Sequence, residues 1–436
     1  MNVENVIKGV VCPFCGCCCD DLEVTVRNNE IAKVENACAL GRAKFERWNE
    51  GRIVRPSIRS DGKILETSFA KAVERSARIL YDARYPLLWG WSCTSCEAQK
   101  IGVELAEEVG GVIDSTTSTC HGPSIIAVHD VGESSTTLGE VRHRADLVIY
   151  WGCNPLHAHP RHMSRYSVLS EGRFRKRRGE RKMIVVDVRR TATAKIADEF
   201  IKIEPNSDYE ALTALRMCLK GEELEQESIA GVPSKKFEEL IDEMVGCQFG
   251  VIFFGLGLTM SAGKSRNVDA ALSLVRDLNS KTKFVIVPMR GHFNVTGANE
   301  VFAWQTGYPF AVDLSQGYPR YNPGETSGVD IATRHDCDAA LVVGSDPISN
   351  FPLEAARNLS SIPIICIDPH ETATTSVSDT VIPSAIVGIE AEGTVYRMDG
   401  VPLLLRKLID PPEGVSKDTE ILEAILNEVR RIRGGR

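Results

Sequence analysis

The sequence has no apolar run that approaches the roughly 20 residues needed to cross a bilayer. Its first residues show neither the basic start nor the hydrophobic stretch of a signal peptide. It also has no excess of positive charge: the 436 residues carry a formal net charge of −8, which argues against a nucleic-acid binder. We therefore expect a cytoplasmic chain without a membrane span. At this length we expect about three domains.

Cysteine, by contrast, is plentiful, with 14 residues in the chain. In the absence of a secretory signal, this number favours metal or redox use over disulfides. Five of the cysteines lie within residues 12–19, and another follows a predicted hairpin that turns at residues 28–29. This spacing, Cys-x2-Cys-x3-Cys with a remote fourth thiol, is typical of a 4Fe–4S cluster. The predicted ligands are Cys12, Cys15, Cys19 and Cys38.

Two alternatives stay open at this first site. A structural zinc also takes four thiolates, although zinc sites more often use two Cys-x2-Cys pairs. Cys18 could replace Cys19 as the third ligand, because the spacing alone does not separate neighbouring thiols.

A second cysteine site is predicted at residues 116–123, Thr-Thr-Ser-Thr-Cys-His-Gly-Pro, directly after a short apolar run at residues 111–114. A thiol beside an imidazole on a polar loop suits a soft metal or a reactive thiolate. The pair Cys120 and His121 is weak evidence by itself, since such neighbours are usually accidental. The first cysteine site and the loops at the strand ends, described below, strengthen the interpretation of this pair as a functional site.

Short runs rich in Val and Ile alternate with amphipathic helical stretches beyond residue 55, a pattern typical of parallel sheets covered by helices on both faces. We therefore predict an α/β fold, with no sequence repeat evident. The predicted strands are 86–91, 146–151, 182–187, 250–254, 283–288, 338–343 and 362–368, and the predicted helices are 68–81, 96–109, 208–219, 234–245, 264–278, 352–359 and 418–433.

Loops at the ends of these strands carry glycine, aspartate and basic residues. Ligands of doubly wound sheets bind at the carboxyl ends of the strands, where glycine lets the backbone approach a pyrophosphate. Six such loops predict one or two large phosphorylated cofactors, although no Walker motif is present. The predicted binding residues are Gly152, Asn154, Pro155, Asp187, Arg189, Arg190, Thr191, Gly255, Gly257, Gly291, Asn294, Gly344, Asp346, Pro347 and Asp368.

The cysteine pattern and the motifs at residues 151–155, 187–191, 290–297 and 344–347, taken in this order, resemble the molybdopterin oxidoreductases of the formate dehydrogenase group. Within that group, the opening Cys-Pro-Phe-Cys-Gly and the Cys-His-Gly-Pro at residues 120–123 are most similar to the B-type subunits of tungsten or molybdenum formylmethanofuran dehydrogenases.

The resemblance implies a reaction and roles for three residues. Cys120 would bind tungsten or molybdenum, held by two molybdopterin guanine dinucleotides, and the sequence does not separate the two metals. His121 and Arg290 would flank the open face, where CO2 is reversibly reduced to formate by two electrons from the 4Fe–4S cluster. In many relatives a basic residue lies between the cluster and the pterin; here Leu40 takes its place, and Arg42 and Lys44 are the candidates to replace it.

The resemblance also implies partners. Formate would pass to a zinc amidohydrolase-like A-type subunit, and a D-type subunit would supply the capping domain that longer relatives carry, beside a C-type subunit and polyferredoxin-type subunits. One alternative is a formate dehydrogenase module. Another is a non-catalytic iron–sulfur subunit for electron transfer, which would need none of Cys120, His121 and Arg290.

The domain limits follow the same resemblance. We expect a small iron–sulfur domain at residues 1–55, followed by two interleaved doubly wound parallel-sheet domains. The first is built from residues 56–139 and 291–436 and the second from residues 140–290, without the C-terminal capping domain.

Two further motifs receive plain interpretations. Cys93 and Cys96 form a Cys-x2-Cys that could be thioredoxin-like, but small semi-buried residues at a helix start are the preferred interpretation. His157, His159 and His162 have no nearby carboxylate or thiol partner in sequence, so we expect hydrogen bonding around the cofactor instead of a metal site.

Overall fold

The computed structural model describes residues 4–435. Strands and helices alternate along most of this length. The strands are β1 (Glu4–Val10), β2 (Leu22–Arg27), β3 (Glu30–Glu35), β4 (Ser57–Ser60), β5 (Lys63–Glu66), β6 (Pro86–Gly90), β7 (Val112–Ser115), β8 (Leu147–Trp151), β9 (Lys182–Asp187), β10 (Glu199–Lys202), β11 (Ser228–Ile229), β12 (Val232–Pro233), β13 (Phe249–Phe254), β14 (Lys283–Pro288), β15 (Val312–Asp313), β16 (Arg320–Tyr321), β17 (Ala339–Val343), β18 (Ile364–Ile367), β19 (Thr380–Ile382), β20 (Gly393–Tyr396) and β21 (Pro402–Leu405). The α-helices are α1 (Ala39–Glu46), α2 (Phe69–Asp82), α3 (Cys96–Val109), α4 (Gly122–Val131), α5 (Leu138–Arg144), α6 (Pro155–Ala158), α7 (His162–Tyr166), α8 (Ala192–Lys195), α9 (Asp208–Leu219), α10 (Ser234–Gly246), α11 (Leu256–Thr259), α12 (Ser265–Leu278), α13 (Val295–Thr306), α14 (Gly328–Arg334), α15 (Pro347–Asn350), α16 (Leu353–Leu359), α17 (Ala373–Val377) and α18 (Asp418–Gly434), with short 3-10 helices at Thr116–Thr119 and Arg178–Glu180.

The chain divides into two compact units, and both are discontinuous in sequence. The first comprises the chain up to Thr119, His292–Arg397 and the chain from Pro402 onward, and the second comprises Cys120–Gly291 and Met398–Val401. The division differs from the predicted limits: the second unit begins at Cys120, not at residue 140, because α4 packs against α12. The N-terminal 55 residues do not separate from the first unit.

The second unit is built on a parallel sheet with strand order β10-β9-β8-β13-β14. Its central strands are buried along their length, as runs of Val, Ile and Phe require when helices cover both faces. Helices α4, α9, α10 and α12 contribute the apolar residues that pack around these strands. Because every strand is parallel, the loops that follow them meet at one edge of the sheet.

The first unit contains a mixed sheet with strand order β16-β15-β7-β6-β17-β18-β19-β4-β5. Its middle strands, from β7 to β19, are parallel, and short antiparallel strands close both edges. Helices α2, α3, α13 and α18 cover one face, while α14 and α16 pack in a second cluster. Residues 308–328 supply β15 and β16 at one edge of this sheet.

The N-terminal region of the first unit forms a three-stranded antiparallel sheet, β1-β2-β3. The turn of the predicted hairpin lies at Asn28 and Asn29, both with positive φ (50° and 62°), as a two-residue type I′ turn requires. This hairpin carries the chain from the first cysteine loop to Cys38, which caps the start of α1. Between residues 4 and 435, no helix combines the length and apolar character that crossing a membrane requires.

Candidate active site and cofactor-binding loops

Cys120 is the first residue of the second unit, directly before His121 and α4. Its carbonyl oxygen accepts a hydrogen bond of 3.0 Å from the hydroxyl of Thr259. Burial raises the pKa of the Cys120 thiol to about 11, although the Arg290 guanidinium and a hydrogen bond from the Gly291 N–H lower it in part. By itself the thiol is therefore protonated at neutral pH, and a soft metal cation beside it would favour the thiolate.

His121 is fully buried, and its Nδ1 lies 2.9 Å from the Ser124 hydroxyl. Its ring packs edge-on against Phe254, with ring centres 5.7 Å apart. Burial and then the positive charge of Arg290 lower the pKa of His121 to about 3. The imidazole is therefore neutral at physiological pH.

Arg290 lies in the turn after β14, one residue before the end of this segment of the second unit. Within that turn Met289 N–H donates to the Phe254 carbonyl at 2.8 Å, and Arg290 N–H donates to the Pro288 carbonyl at 3.0 Å. The guanidinium affects the pKa of both Cys120 and His121. The structure thus brings the three predicted catalytic residues together, although 169 positions separate His121 from Arg290 (290 − 121).

Sequence reasoning missed a charged neighbour of this group, Glu133. It is half-buried just after α4, and burial raises its pKa while Arg290 opposes the shift. The neighbouring Ser134 carbonyl accepts a hydrogen bond of 3.1 Å from Ile286 N–H, which places this segment along the free edge of β14. No sequence motif marks Glu133, since only the return of the chain to β14 brings it near Arg290.

The cofactor loop after β8 begins with Gly152 at a φ of 57°. Gly152 N–H donates to the Val186 carbonyl at 2.9 Å. Oδ1 of Asn154 accepts from the backbone N–H of Thr193 at 3.3 Å and from its hydroxyl at 2.6 Å. This loop is therefore fixed to the start of α8, which follows the neighbouring strand β9.

The loop after β17 in the first unit has the same construction. Gly344 has a φ of 55°, and its N–H donates to the Ile367 carbonyl at 3.0 Å. Oδ1 of Asp346 accepts from Thr374 N–H at 2.9 Å and from its hydroxyl at 2.6 Å. A proline that opens a short helix follows in both loops, Pro155 in one and Pro347 in the other.

The correspondence continues into the next strand-end loop of each unit. Asp187, the last residue of β9, accepts from the N–H of Arg189 at 3.2 Å, and Asp368, directly after β18, accepts from the N–H of His370 at 2.9 Å. The helices that follow are capped by Thr191 and Thr372. The chain thus contains an internal structural repeat, which the sequence shows only faintly in Gly-Cys-Asn-Pro at 152–155 and Gly-Ser-Asp-Pro at 344–347.

Gly257 and Gly152 approach each other closely in the second unit. A Cβ added to Gly257 would lie 2.6 Å from the Gly152 Cα, and Gly257 N–H donates to the Gly152 carbonyl at 2.9 Å. At Gly255 an added Cβ would meet the Cys153 Cβ at 2.6 Å. These glycines are therefore required by the contact of two strand-end loops. Arg190 lies exposed within the loop after β9.

The remaining two predicted binding residues differ in their surroundings. Gly291 is exposed, and an added Cβ would meet nothing within 4 Å. Asn294 is fully buried; its Nδ2 donates to the Thr94 carbonyl at 2.7 Å, and its Oδ1 accepts from Tyr396 N–H at 2.9 Å. The Asn294 side chain thus joins parts of the first unit, and a contact with a cofactor stays a prediction.

A cavity of about 600 Å³ lies in the first unit beside the cysteine loop. Leu40 and Lys44, one turn apart on α1, both line it, together with His292. Burial raises the pKa of Asp368, another lining residue, to about 7. Of the two candidates for the missing basic residue, Lys44 is the one that lines this cavity.

The predicted cluster thiols lie near one another. Cys12 N–H donates to the Cys19 carbonyl at 2.9 Å, which closes the loop. The sulfurs of Cys12 and Cys38 each lie 3.5 Å from the position that a Cβ on Gly41 would take. Burial raises the pKa of Cys12, and Cys15, Cys19 and Cys38 add to the effect. No three His, Cys or carboxylate side chains in residues 4–435 form a group that could hold a single metal ion.

Cys18 differs from these thiols. Its backbone has a φ of 37°, and its buried thiol donates to the Phe293 carbonyl at 3.3 Å. These contacts of Cys18 favour Cys19 over Cys18 as the third thiol of the group.

Cys93 and Cys96 do not have the properties of a redox pair. Burial raises the pKa of both thiols to about 12, whereas a reactive thiol needs a lowered pKa. The preferred interpretation of two semi-buried residues at the start of α3 agrees with this finding.

The family model described as Molybdopterin oxidoreductase matches residues 52–428. The chain belongs to this family. It is 52% identical to the B-type subunit of the tungsten-containing formylmethanofuran dehydrogenase 2 of Methanocaldococcus jannaschii, over 98% of this chain and 99% of that protein. The subunit of the same description from Methanococcus maripaludis is 49% identical, again over 98% of this chain and 99% of that protein.

A solved structure shows the same fold. A chain of the formyltransferase/hydrolase complex from Methylorubrum extorquens, in complex with methylofuran, aligns with a TM-score of 0.71 and 21% identity, over 87% of this chain and all of that chain. The predicted α/β fold with parallel sheets and the resemblance to molybdopterin oxidoreductases are therefore confirmed. The family makes the chain an oxidoreductase that uses a molybdopterin cofactor.

Proposed function

We propose that this chain is the catalytic subunit of a formylmethanofuran dehydrogenase, which reversibly reduces CO2 to formate at a tungsten or molybdenum site with two molybdopterin guanine dinucleotides. The observation that carries the proposal is the group of Cys120, His121 and Arg290 in a chain about half identical to subunits of that description. The names of these relatives favour tungsten.

Cys120 is the residue that would bind the metal. Its thiol is half-buried beside a guanidinium and a backbone N–H, both of which favour the thiolate, so the donor fits a soft, redox-active cation. When bound, the metal–pterin group supplies two-electron chemistry, so that CO2, two electrons and one proton give formate. Cys120 holds that group beside Arg290.

Arg290 would bind the carboxylate of formate and the oxygens of CO2. Its planar guanidinium matches a carboxylate with two parallel hydrogen bonds, and it stabilises the negative charge that CO2 gains during reduction. His121 would add a neutral imidazole, whose Nδ1 is engaged by Ser124. A neutral His121 avoids a second positive charge beside Arg290.

The repeated loops of the two units would each hold one dinucleotide. Gly152 in one repeat and Gly344 in the other lie at the carboxyl end of a parallel sheet, where backbone N–H groups can approach a pyrophosphate. Asp187 and Asp368 occupy equivalent places at the ends of the next strands, where a carboxylate can accept from a ribose or base edge. Two equivalent loop pairs suit two copies of one cofactor.

The four thiols Cys12, Cys15, Cys19 and Cys38 would hold a 4Fe–4S cluster that delivers the electrons. Lys44 would serve as the basic residue between the cluster and the neighbouring pterin. Its Nζ lies 5.3 Å from the centre of the Phe14 ring, and its charge acts on the thiols of Cys15 and Cys93. Leu40 lies one turn away on the same face of α1.

Formate would leave this chain for a partner subunit that joins it to methanofuran. The related chain from Methylorubrum extorquens occurs in a multi-subunit complex, which supports a multi-subunit assembly here. The partners that we propose are a zinc amidohydrolase-like A-type subunit, a capping D-type subunit, a C-type subunit and polyferredoxin-type subunits.

Elemental analysis of the anaerobically purified complex, with this chain separated gently, tests the proposal. Tungsten or molybdenum together with iron in this chain supports it. Iron alone would instead support an electron-transfer subunit, and zinc alone would exclude the cluster.

A Cys120→Ala variant of the same complex should lose formate oxidation and the tungsten or molybdenum while it retains iron. Cys218→Ala is the matched control, because Cys218 is a half-buried thiol on α9 of the same unit. Normal turnover by the Cys120→Ala variant would exclude Cys120 as the metal ligand.

A further inference from the structure

His159 contacts the backbone of Arg290. Its Nε2 lies 2.9 Å from the Arg290 carbonyl oxygen, so the imidazole donates a hydrogen bond to the residue that carries the guanidinium. Both residues belong to the second unit, and 131 positions separate them in the chain. Sequence reasoning grouped His159 with His157 and His162 and assigned none of them a role in the reaction.

The backbone of His159 is held by two hydrogen bonds. His159 follows α6, and its backbone N–H donates to the Pro155 carbonyl at 2.8 Å. Its carbonyl accepts from His162 N–H at 2.8 Å. The side chain is 3% exposed, and burial lowers its pKa, so that the imidazole is neutral and Nε2–H can serve the carbonyl. The donor is therefore held in one place before any ligand binds.

The turn that carries Arg290 is also held by hydrogen bonds between main-chain groups. Met289 N–H donates to the Phe254 carbonyl, and Arg290 N–H donates to the Pro288 carbonyl. The His159 contact joins the loops after β8 and β14, two strands separated by β13 in the sheet. It thus holds the peptide group directly between Arg290 and Gly291, whose N–H faces the Cys120 thiol.

We propose that His159 is a positioning residue: by holding the Arg290 carbonyl, it sets the direction of the guanidinium that receives the formate carboxylate. The inference rests on the proposed function, since it concerns how Arg290 meets a substrate. A rotation of this peptide group would move the guanidinium and the Gly291 N–H together. Misplacement of a binding group by about 1 Å can cost on the order of a hundredfold in rate.

The test compares two neutral, polar replacements in the complete, anaerobically purified complex. In His159→Gln, the amide nitrogen can reach the place of Nε2 and restore the hydrogen bond to Arg290. In His159→Asn, the side chain is one carbon shorter and cannot reach that carbonyl. His157→Asn is the matched control, because His157 lies exposed two residues earlier on α6.

We expect His159→Asn to raise KM for formate about tenfold or more, with a smaller fall in kcat, because binding of the carboxylate is the step that Arg290 serves. Azide, a linear triatomic anion with the shape of CO2, provides a readout without turnover; its dissociation constant, followed by the EPR signal of the metal, should rise in parallel. His159→Gln and the His157→Asn control should stay within about threefold of the unchanged protein, with equal tungsten and iron in all variants.

Equal KM and azide affinity in the Gln and Asn variants would overturn the proposal, because the hydrogen bond would then have no effect on the substrate. A loss of metal in proportion to the loss of activity in His159→Asn would also overturn it and indicate a structural role. Failure of the proposed function looks different: the unchanged complex would then lack tungsten and molybdenum in this chain and would not oxidise formate.

Discussion

Arg52 and Glu390 form a buried ion pair in the first unit, with Nη2 of Arg52 2.6 Å from Oε2 of Glu390 and side chains that are 5% and 0% exposed. Arg52 also donates to the carbonyls of Pro369 and Ser384, and the same Glu390 oxygen accepts from Ile386 N–H. Pro369, Ser384 and Ile386 all line the cavity beside the cysteine loop. The pair therefore fixes one wall of that cavity.

Removing one partner of this pair should destabilise the protein strongly. Glu390→Gln leaves the guanidinium buried without its counter-charge, and we expect a loss of about 3–5 kcal/mol in the free energy of unfolding. The double variant Arg52→Met with Glu390→Leu should recover most of that loss, because it leaves no uncompensated charge. Denaturant unfolding of the single and double variants measures the difference. If the double variant is as unstable as Glu390→Gln, the charge pair is not the cause.

Arg290→Gln should lower kcat/KM for formate by roughly a hundred- to a thousandfold, the usual effect of removing one donor from a site of developing negative charge. Arg290→Lys should recover only part of this loss, since an ammonium cannot pair with both carboxylate oxygens in one plane. Arg216→Gln is the control, because Arg216 is a partly buried arginine of the same unit, paired with Asp277. Formate kinetics, combined with metal analysis, test this prediction. A kcat/KM for Arg290→Gln within threefold of that of the unchanged protein would exclude substrate binding by Arg290.

Gly152→Ala should disturb the loop after β8 even though it adds only a methyl group. That methyl would lie 2.9 Å from the Gly257 Cα, and the φ of 57° is unfavourable for alanine, so we expect a loss of roughly 2–5 kcal/mol in stability. Gly291→Ala is the matched control, since an added Cβ there meets nothing within 4 Å. Thermal unfolding and hydrogen exchange at residues 150–156 and 254–259 measure the effect. Equal behaviour of the two variants would contradict the contact between the loops.

Most of the parallel strands could be predicted closely from sequence because burial on both faces demands continuous runs of Val and Ile. The short parallel strands β10 and β19 were not predicted. Strands β9 and β14 and helices α3 and α9 lie at the predicted residues. Helices α4 and α13 were not predicted: each directly follows a site loop, and their mainly small and apolar residues show no polar face. Strand β5 was also missed, because its residues are all exposed and lack the alternation of a half-buried strand.

The site was predictable in its residue types but not in its contacts. Cys120 and His121 are neighbours in sequence, whereas Glu133 and His159 reach Arg290 only because the chain returns to the same edge of the sheet. The internal repeat also escaped the sequence, since Asn154 in one unit and Asp346 in the other perform the same hydrogen bonding through different residue types. The two units thus share a hydrogen-bond pattern although their sequences differ at the residues that form it.

Substitution of each thiol distinguishes Cys18 from Cys19 as a cluster ligand. Cys19→Ala should remove the iron of this chain, because four thiolates are needed to hold the cluster and Cys19 lies with Cys12. Cys18→Ala should retain the iron, since the Cys18 thiol donates instead to the Phe293 carbonyl at 3.3 Å. Iron content and the EPR signal of the separated chain measure both variants. The positive φ of 37° at Cys18 is equally strained for cysteine and alanine, so that the substitution adds no backbone strain of its own. Loss of iron in Cys18→Ala, with iron retained in Cys19→Ala, would reverse the assignment.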